Sequence, residues 1–111
     1  MDKKYYYKVE IEIDEEKVIA DHKYSLEKMY NAIIKLFARF GVPDFTKSEN
    51  TLIFYDNISD DPYRTSFPCV DLAKKEWAKP YLKKLYCYDN TEDEEYCDDF
   101  IKEVANFKVI V

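Results

Sequence analysis

The stretch from Tyr24 to Pro43 constrains the fold most, because the beginning, the buried face and the end of one helix can all be identified in it. Ser25 is the predicted N-cap, since its hydroxyl can accept a hydrogen bond from a backbone N–H of the first turn. Gly41 is the only glycine in the chain and follows the last turn, and Pro43 prevents the helix from continuing. Apolar residues recur at the three- and four-residue steps of one amphipathic helix face, namely Leu26, Met29, Tyr30, Ile33, Phe37 and Phe40.

The residues on either side of this helix predict β-structure. Apolar and polar side chains alternate from Lys4 to Asp14, which predicts a strand with one face exposed to water. Glu15–Lys17 is expected to be a polar turn, and Val18–Ala20 to extend the chain briefly. Two apolar stretches then flank a short polar turn, and they predict a β-hairpin from Phe45–Lys47 and Thr51–Tyr55. The second arm lacks alternation, so we expect an interior strand with both faces covered.

A second helix is predicted around Val70, Ala73 and Trp77, which are apolar and fall at helical spacing. It should end near Ala78, because Pro80 disfavours helical geometry at the preceding residue. Its beginning is left open between Pro68 and Tyr63.

The last third of the chain predicts strand, helix and strand. Tyr81–Tyr88 is rich in aromatic residues that fit a pleated surface. Thr91–Glu94 has the pattern of a capping box, so a third helix should begin there. Phe107–Val111 is expected to be a closing strand. The apolar side of the third helix is predicted to be Tyr96, Phe100, Ile101 and Val104.

The order strand, helix, strand, strand, helix, strand is the split βαβ arrangement. Two amphipathic helices on one face of an antiparallel sheet bury both apolar stripes with short connections. We therefore predict a single α+β domain over residues 1–111. Its expected form is a two-layer sandwich with a ferredoxin-like core, followed by an extra C-terminal helix and strand.

The composition limits the partners and the compartment. A formal net charge of -6 over 111 residues repels nucleic acid and anionic lipid, and it favours a basic protein partner. No apolar run approaches the roughly 20 residues that span a bilayer, and no signal peptide is recognisable, so we expect a cytoplasmic protein without a membrane partner. The three cysteines are widely spaced, which indicates reduced thiols rather than a disulfide framework or a zinc site.

The candidates for catalysis are few. His22 is the only histidine and lies in a polar linker, away from any recognisable nucleophile motif. Asp56, Asp60 and Asp61 could hold a hard cation or belong to a solvated turn, although the glycine and the ligand spacing of calcium loops are missing. The sequence therefore assigns no catalytic, cofactor or metal residue. The enzyme alternative is a small hydrolase or transferase that uses these carboxylates.

Charge is segregated near the C-terminus. A lysine-rich stretch, Lys74–Lys84, precedes an acidic stretch, Glu92–Glu103, in which Lys102 is the only cation. The dipole of a helix that begins at Thr91 would not account for the acidic residues beyond its first turn. We therefore expect a surface that docks a basic partner, with the candidate residues Glu95, Asp98, Asp99 and Glu103.

Other interpretations of these surfaces remain open. The acidic face could be solvated without a dedicated partner. The lysine stretch could bind a single-stranded nucleic acid by stacking bases on Trp77 and nearby tyrosines. Tyr6 is a further interface candidate, because it should be exposed on the charged side of the first strand. A homodimer could form through a strand edge at Phe107–Val111 or Lys4–Ile13.

Several segments together resemble a group of small acidic proteins from Gram-positive bacteria and their mobile elements. The resemblance is carried by a helix, a hairpin strand, a tryptophan and an acidic C-terminal segment, and it implies no catalytic residue. It implies an accessory or mobile-element role. The matching segments are Tyr24–Tyr30, Phe37–Gly41, Thr51–Tyr55, Trp77 and Tyr86–Asp89.

Overall fold

The computed structural model describes residues 5–91 and 96–107. Within them the chain forms five strands, four helices and one short 3₁₀ turn at Lys79–Tyr81. The elements in chain order are β1 (Tyr7–Ile13), α1 (Glu15–Asp21), α2 (Leu26–Arg39), β2 (Phe45–Ser48), β3 (Thr51–Asp56), α3 (Tyr63–Lys74), β4 (Leu82–Asp89), β5 (Tyr96–Asp99) and α4 (Phe100–Phe107). The α+β class predicted from the sequence is confirmed.

The strands form one antiparallel sheet in the order β2-β3-β1-β4-β5. The first strand is therefore central, with Val9 opposite Phe54 on one side and Cys87 on the other. In the described part of Lys4–Ile13 the prediction of a free strand edge for a dimer is wrong, because β3 and β4 already pair with both sides of β1. The sheet edges in the described residues are β2 and β5.

One face of the sheet carries the core. Val9, Ile11 and Ile13 are fully buried and alternate with half-buried polar residues, as the sequence pattern predicts. Buried apolar side chains from each of the four helices belong to the same hydrophobic cluster as these β1 residues. At its centre the Phe37 ring of α2 stacks on Phe54 of β3, with 4.2 Å between ring centroids. The interior position of β3 is confirmed, although its outward side chains are half-buried rather than covered.

The predicted features of α2 are confirmed. The Ser25 hydroxyl accepts from the backbone N–H of Lys28 at 3.4 Å, and Ile33 is fully buried. Gly41 has φ +89 and its N–H donates to the carbonyl of Ala38 at 3.0 Å. This left-handed residue ends the helix and turns the chain towards the hairpin.

Two predictions, one for residues 15–20 and one for the end of α3, are wrong. The expected turn and extension at residues 15–20 form α1 instead, because the Asp14 side chain caps it by accepting from Lys17 N at 3.2 Å. Only Val18 of this helix is buried, so no apolar periodicity marked it. The second helix begins at Tyr63, the earlier alternative, and ends at Lys74 rather than near Ala78.

The third predicted helix begins later than expected. Tyr96, placed on its apolar side, is 56% exposed and belongs to β5, because this segment pairs with β4. Phe100 and Val104 are buried as predicted, on α4. Residues 92–95 of the predicted capping box lie outside the described residues, as does most of the predicted closing strand, residues 108–111. The first residue of that strand, Phe107, is the last residue of α4.

Candidate functional site

The acidic surface predicted from the sequence lies on the edge strand β5 and the first turn of α4. We call this surface, formed by Tyr96, Asp98, Asp99 and Glu103, the acidic edge. In the described part of the chain β5 pairs with β4 alone. Tyr96 and Asp98 are exposed, whereas Asp99 and Glu103 are half-buried. The acidic edge therefore combines carboxylates with one side of a strand that no described segment covers.

Asp99 has a structural role that the sequence did not predict. Its Oδ1 accepts from the backbone N–H groups of Ile101 at 3.0 Å and Lys102 at 3.3 Å, so it caps α4. Because this helix begins at Phe100 and not at Thr91, Glu103 falls in the first turn. The helix dipole stabilises carboxylates at both positions. Among Asp98, Asp99 and Glu103, Asp98 is therefore the one acidic residue whose position the beginning of α4 does not explain.

Asp98 and Glu103 concentrate negative charge at this edge. The pKa of Glu103 is raised, and the largest cause is partial burial. The negative charge of Asp98, a hydrogen bond with Asp98 and the negative charge of Asp99 raise it further, in decreasing order. Neither Asp98 nor Glu103 has an ion-pair partner among the residues that the structure describes. A cation brought to this edge would therefore meet carboxylates that no described side chain neutralises.

Two further residues, Glu95 and Tyr6, are predicted to bind the partner. Glu95 lies outside the described residues. Tyr6 is 41% exposed, as predicted. Its backbone N–H donates to Asp56 O at 2.7 Å, and its carbonyl accepts from Asn90 N at 2.8 Å. Tyr6 therefore lies between the ends of β3 and β4, one strand away from the acidic edge.

Two of the three aspartates considered for a cation site have structural roles, and the interpretation of Asp56 as part of a solvated turn is wrong. Asp56 is 1% exposed, and its carboxylate accepts from Arg64 Nε at 2.9 Å and from the Ile58 N–H at 3.1 Å. Asp61 accepts from Tyr63 N at 3.0 Å at the beginning of α3. In the described ranges no group of three or more His, Cys, Asp or Glu residues is placed to hold a metal ion.

The structure separates His22 from these aspartates. His22 is exposed at the end of α1, with φ 54 in the left-handed region. Asp56 pairs with Tyr7 at the beginning of β1, whereas α1 follows the end of that strand. The seven residues of β1 span roughly 20 Å. The imidazole and the Asp56 carboxylate therefore do not form a catalytic pair.

The lysine-rich stretch does not form one stacking surface. Trp77 contacts the helical side, where it lines a cavity against α2. Tyr86 and Tyr88 lie on the opposite face of the sheet, across from Glu10 and Lys8. Lys84 on that face pairs with Glu12 at 3.7 Å. The aromatic and cationic groups of the nucleic-acid interpretation are thus divided between two faces.

The cysteines follow the sequence prediction. Cys69 and Cys87 are buried free thiols, whereas Cys97 on β5 is exposed. Burial raises the pKa of the Cys87 thiol to about 12. A buried thiol of this kind is protonated at neutral pH and therefore unreactive.

Arg64 is an important residue that the sequence analysis missed. Besides its ion pair with Asp56, its Nη2 donates to the carbonyl of Gly41. It therefore ties together the end of α2, the end of β3 and the beginning of α3. Its two partners are 8 and 23 residues away in sequence, so no local pattern identifies the contact. The one available signal was that the chain contains only two arginines.

The fold and the acidic edge define a small α+β domain with a carboxylate-rich sheet edge. No described helix is long and apolar enough to cross a membrane. The chain matches no protein-family model, no curated protein and no solved structure.

Proposed function

We propose that this protein is a non-enzymatic protein-binding domain that docks a basic partner on its acidic edge. The proposal includes a cytoplasmic location and the accessory role implied by the resemblance to small acidic proteins of Gram-positive bacteria and their mobile elements. It assigns no catalytic residue, metal or cofactor.

The observation that carries the proposal is the position of the carboxylates on an edge strand. An extended segment can add to an exposed strand edge through main-chain hydrogen bonds, while side chains select the partner. Asp98 and Glu103 would pair with lysine or arginine of the added segment, and Tyr96 would supply apolar area with a polar tip. A basic, extended peptide fits this combination.

A direct binding measurement tests the proposal. A fluorescently labelled peptide of alternating lysine and threonine should bind the full chain at low salt, with an anisotropy change that decreases as salt is added. The variant Asp98→Asn with Glu103→Gln should bind several-fold more weakly, because each exposed charge pair contributes about 0.2–1 kcal/mol.

The matched control is Glu49→Gln with Glu76→Gln, which removes the same charge from exposed positions elsewhere. This variant should bind the peptide as the wild type does. Equal loss in both variants would show that the peptide senses only net charge, and the acidic edge would not be the site.

We further propose that β1–β4, with α2 and α3 as crossovers, form a ferredoxin-like split βαβ core. Support comes from the order β4-β1-β3-β2 with antiparallel neighbours. In this interpretation α1 is an insertion before the first crossover helix, and β5 with α4 is the C-terminal addition. A solution structure with a different pairing of β1 would disprove it.

A further inference from the structure

A groove runs along the helical layer, between α2 and the segment from α3 to Trp77. Two cavities of about 390 Å³ and 270 Å³ lie in it, and both are lined by Ala32 and Trp77. The larger lies at the beginning of α2, beside Tyr24 and Met29, and the smaller lies beside Leu36. The two cavities adjoin, since they share two lining residues, and together we call them the helical groove.

The helical groove is cationic on a protein whose net charge is -6. Its lining contains one carboxylate, Asp71, which already pairs with Lys75 at 3.6 Å. The other four cations have no side-chain hydrogen bond or ion pair with any described residue, and they are Lys23, Lys28, Lys35 and Arg39. Three of these four project from one side of α2, since the spacing 28, 35, 39 repeats at helical steps. The groove therefore attracts an anion, in contrast to the molecule as a whole.

Apolar groups are available at both ends of the helical groove. At one end Tyr24, 43% exposed, borders the larger cavity, and Trp77 lies where the two cavities adjoin. Near the other end Phe40, which follows the lining residue Arg39, meets the Phe67 ring edge-on at 6.5 Å, and Phe67 stacks on Tyr63 at 4.9 Å. Tyr63 is 59% exposed and Phe67 51%. Exposed aromatic groups at this density mark an interaction surface.

We propose that the helical groove binds an acidic peptide segment that carries an apolar residue near each end. The 14 residues of α2 extend over about 21 Å. An extended peptide of roughly seven residues covers this distance. Its carboxylates would face Lys28, Lys35 and Arg39, and its apolar side chains would contact the two aromatic ends. This site is separate from the acidic edge and does not depend on the function proposed for it.

A peptide fits the groove better than a nucleic acid does. A single strand requires aromatic groups spaced along the cationic track so that successive bases can stack. Here the cavity beside Lys35 and Arg39 has Trp77 as its one aromatic lining residue in the described part of the chain, so aromatic groups do not follow the cations along the groove. The surrounding net negative charge also repels a long polyanion more strongly than a short peptide.

The test uses Trp77 as its own reporter, because it is the only tryptophan of the chain. A synthetic peptide with glutamates between two leucines, free of aromatic residues, is titrated into the full-length protein while tryptophan emission is recorded. We expect a saturable change in emission and weaker binding at high salt. The variant Lys28→Gln, Lys35→Gln, Arg39→Gln should bind about tenfold more weakly, given three exposed charge pairs.

The control variant Lys47→Gln, Lys74→Gln, Lys102→Gln removes the same charge from exposed positions outside the groove. It should bind within about twofold of wild type, and circular dichroism should show that both variants are folded. Peptides with glutamine for glutamate, or serine for leucine, should each bind more weakly than the parent peptide.

Four results would overturn the proposal. The first is unchanged emission with no binding by calorimetry, and the second is equal weakening in the control variant. The third is tighter binding of an oligothymidylate of matched charge, which would assign the groove to a nucleic acid. The fourth is a dimeric mass of the wild type by light scattering that the groove variant abolishes, which would show that the occupant is a second copy.

Discussion

The contact between Arg64 and Asp56 gives the sharpest stability prediction. The Asp56 side chain is fully buried and that of Arg64 is 25% exposed, with Nε and Oδ2 2.9 Å apart. Replacing Arg64 by Met keeps the aliphatic part of the side chain but leaves a buried carboxylate without its cation. Such a loss costs about 3–5 kcal/mol in a fully buried pair. Because water reaches Arg64, we expect about 2–3 kcal/mol.

Urea denaturation followed by circular dichroism measures this effect. With a slope of about 1–2 kcal/mol per molar urea, the midpoint should fall by roughly 1–3 M. The matched control is Arg39→Met, which changes the only other arginine and removes an exposed charge. The free energy of unfolding of this control should stay within about 0.5 kcal/mol of wild type.

A double-mutant cycle separates the pair from the packing of its members. Asp56→Asn removes the charge but keeps the volume, so the variant with both substitutions should be less destabilised than the sum of the single variants, by about 1–2 kcal/mol. A cost below about 0.5 kcal/mol for Arg64→Met, or additive effects in the cycle, would refute the reasoning. Either result would mean that water or another group compensates the Asp56 charge.

Three further predictions concern single sites. Gly41→Ala should lower the free energy of unfolding by about 1–2 kcal/mol in urea titrations, because φ is +89 and the added Cβ would lie 3.0 Å from the guanidinium that contacts this turn. A thiol reagent should label Cys97 alone in the folded protein and all three cysteines in denaturant; early labelling of the two buried thiols would contradict their burial. The pKa of Glu103, followed by NMR, should fall in the variant Asp98→Asn, because the Asp98 carboxylate raises it. A carboxyl group whose pKa is raised in the folded state lowers the stability of the fold as the pH rises through that pKa. The variant Glu103→Gln should therefore stabilise the fold more at neutral than at acidic pH.

Local patterns predicted the elements whose residues contact the core in regular order. Alternation identified β1, and helical spacing with a cap and a left-handed glycine identified α2. The same patterns missed α1, in which only Val18 is buried. They also predicted the beginning of the last helix too early, at Thr91, whereas α4 is capped by Asp99. An element with one buried side chain has no periodicity to detect, and the apolar pattern of residues 96–104 does not show that its first four residues pair as a strand.

The candidate sites depended even more on tertiary structure. The sequence showed that acidic residues cluster near the C-terminus, but the pairing of β5 with β4 placed them on a sheet edge and gave Asp99 a local role. The helical groove joins cations of α2 to Trp77, which is some 40 residues away along the chain. No local pattern connects them.

The sequence by itself determined the α+β class, the central helix with its exit at Gly41, and the sign of the net charge, because each depends on neighbouring residues or on composition. Only the tertiary structure decided that Asp56 is buried against Arg64. It also decided that one anionic chain presents an acidic edge and a cationic groove. Burial and local charge depend on contacts between residues far apart in the chain, and these exist only once the sheet and helices pack.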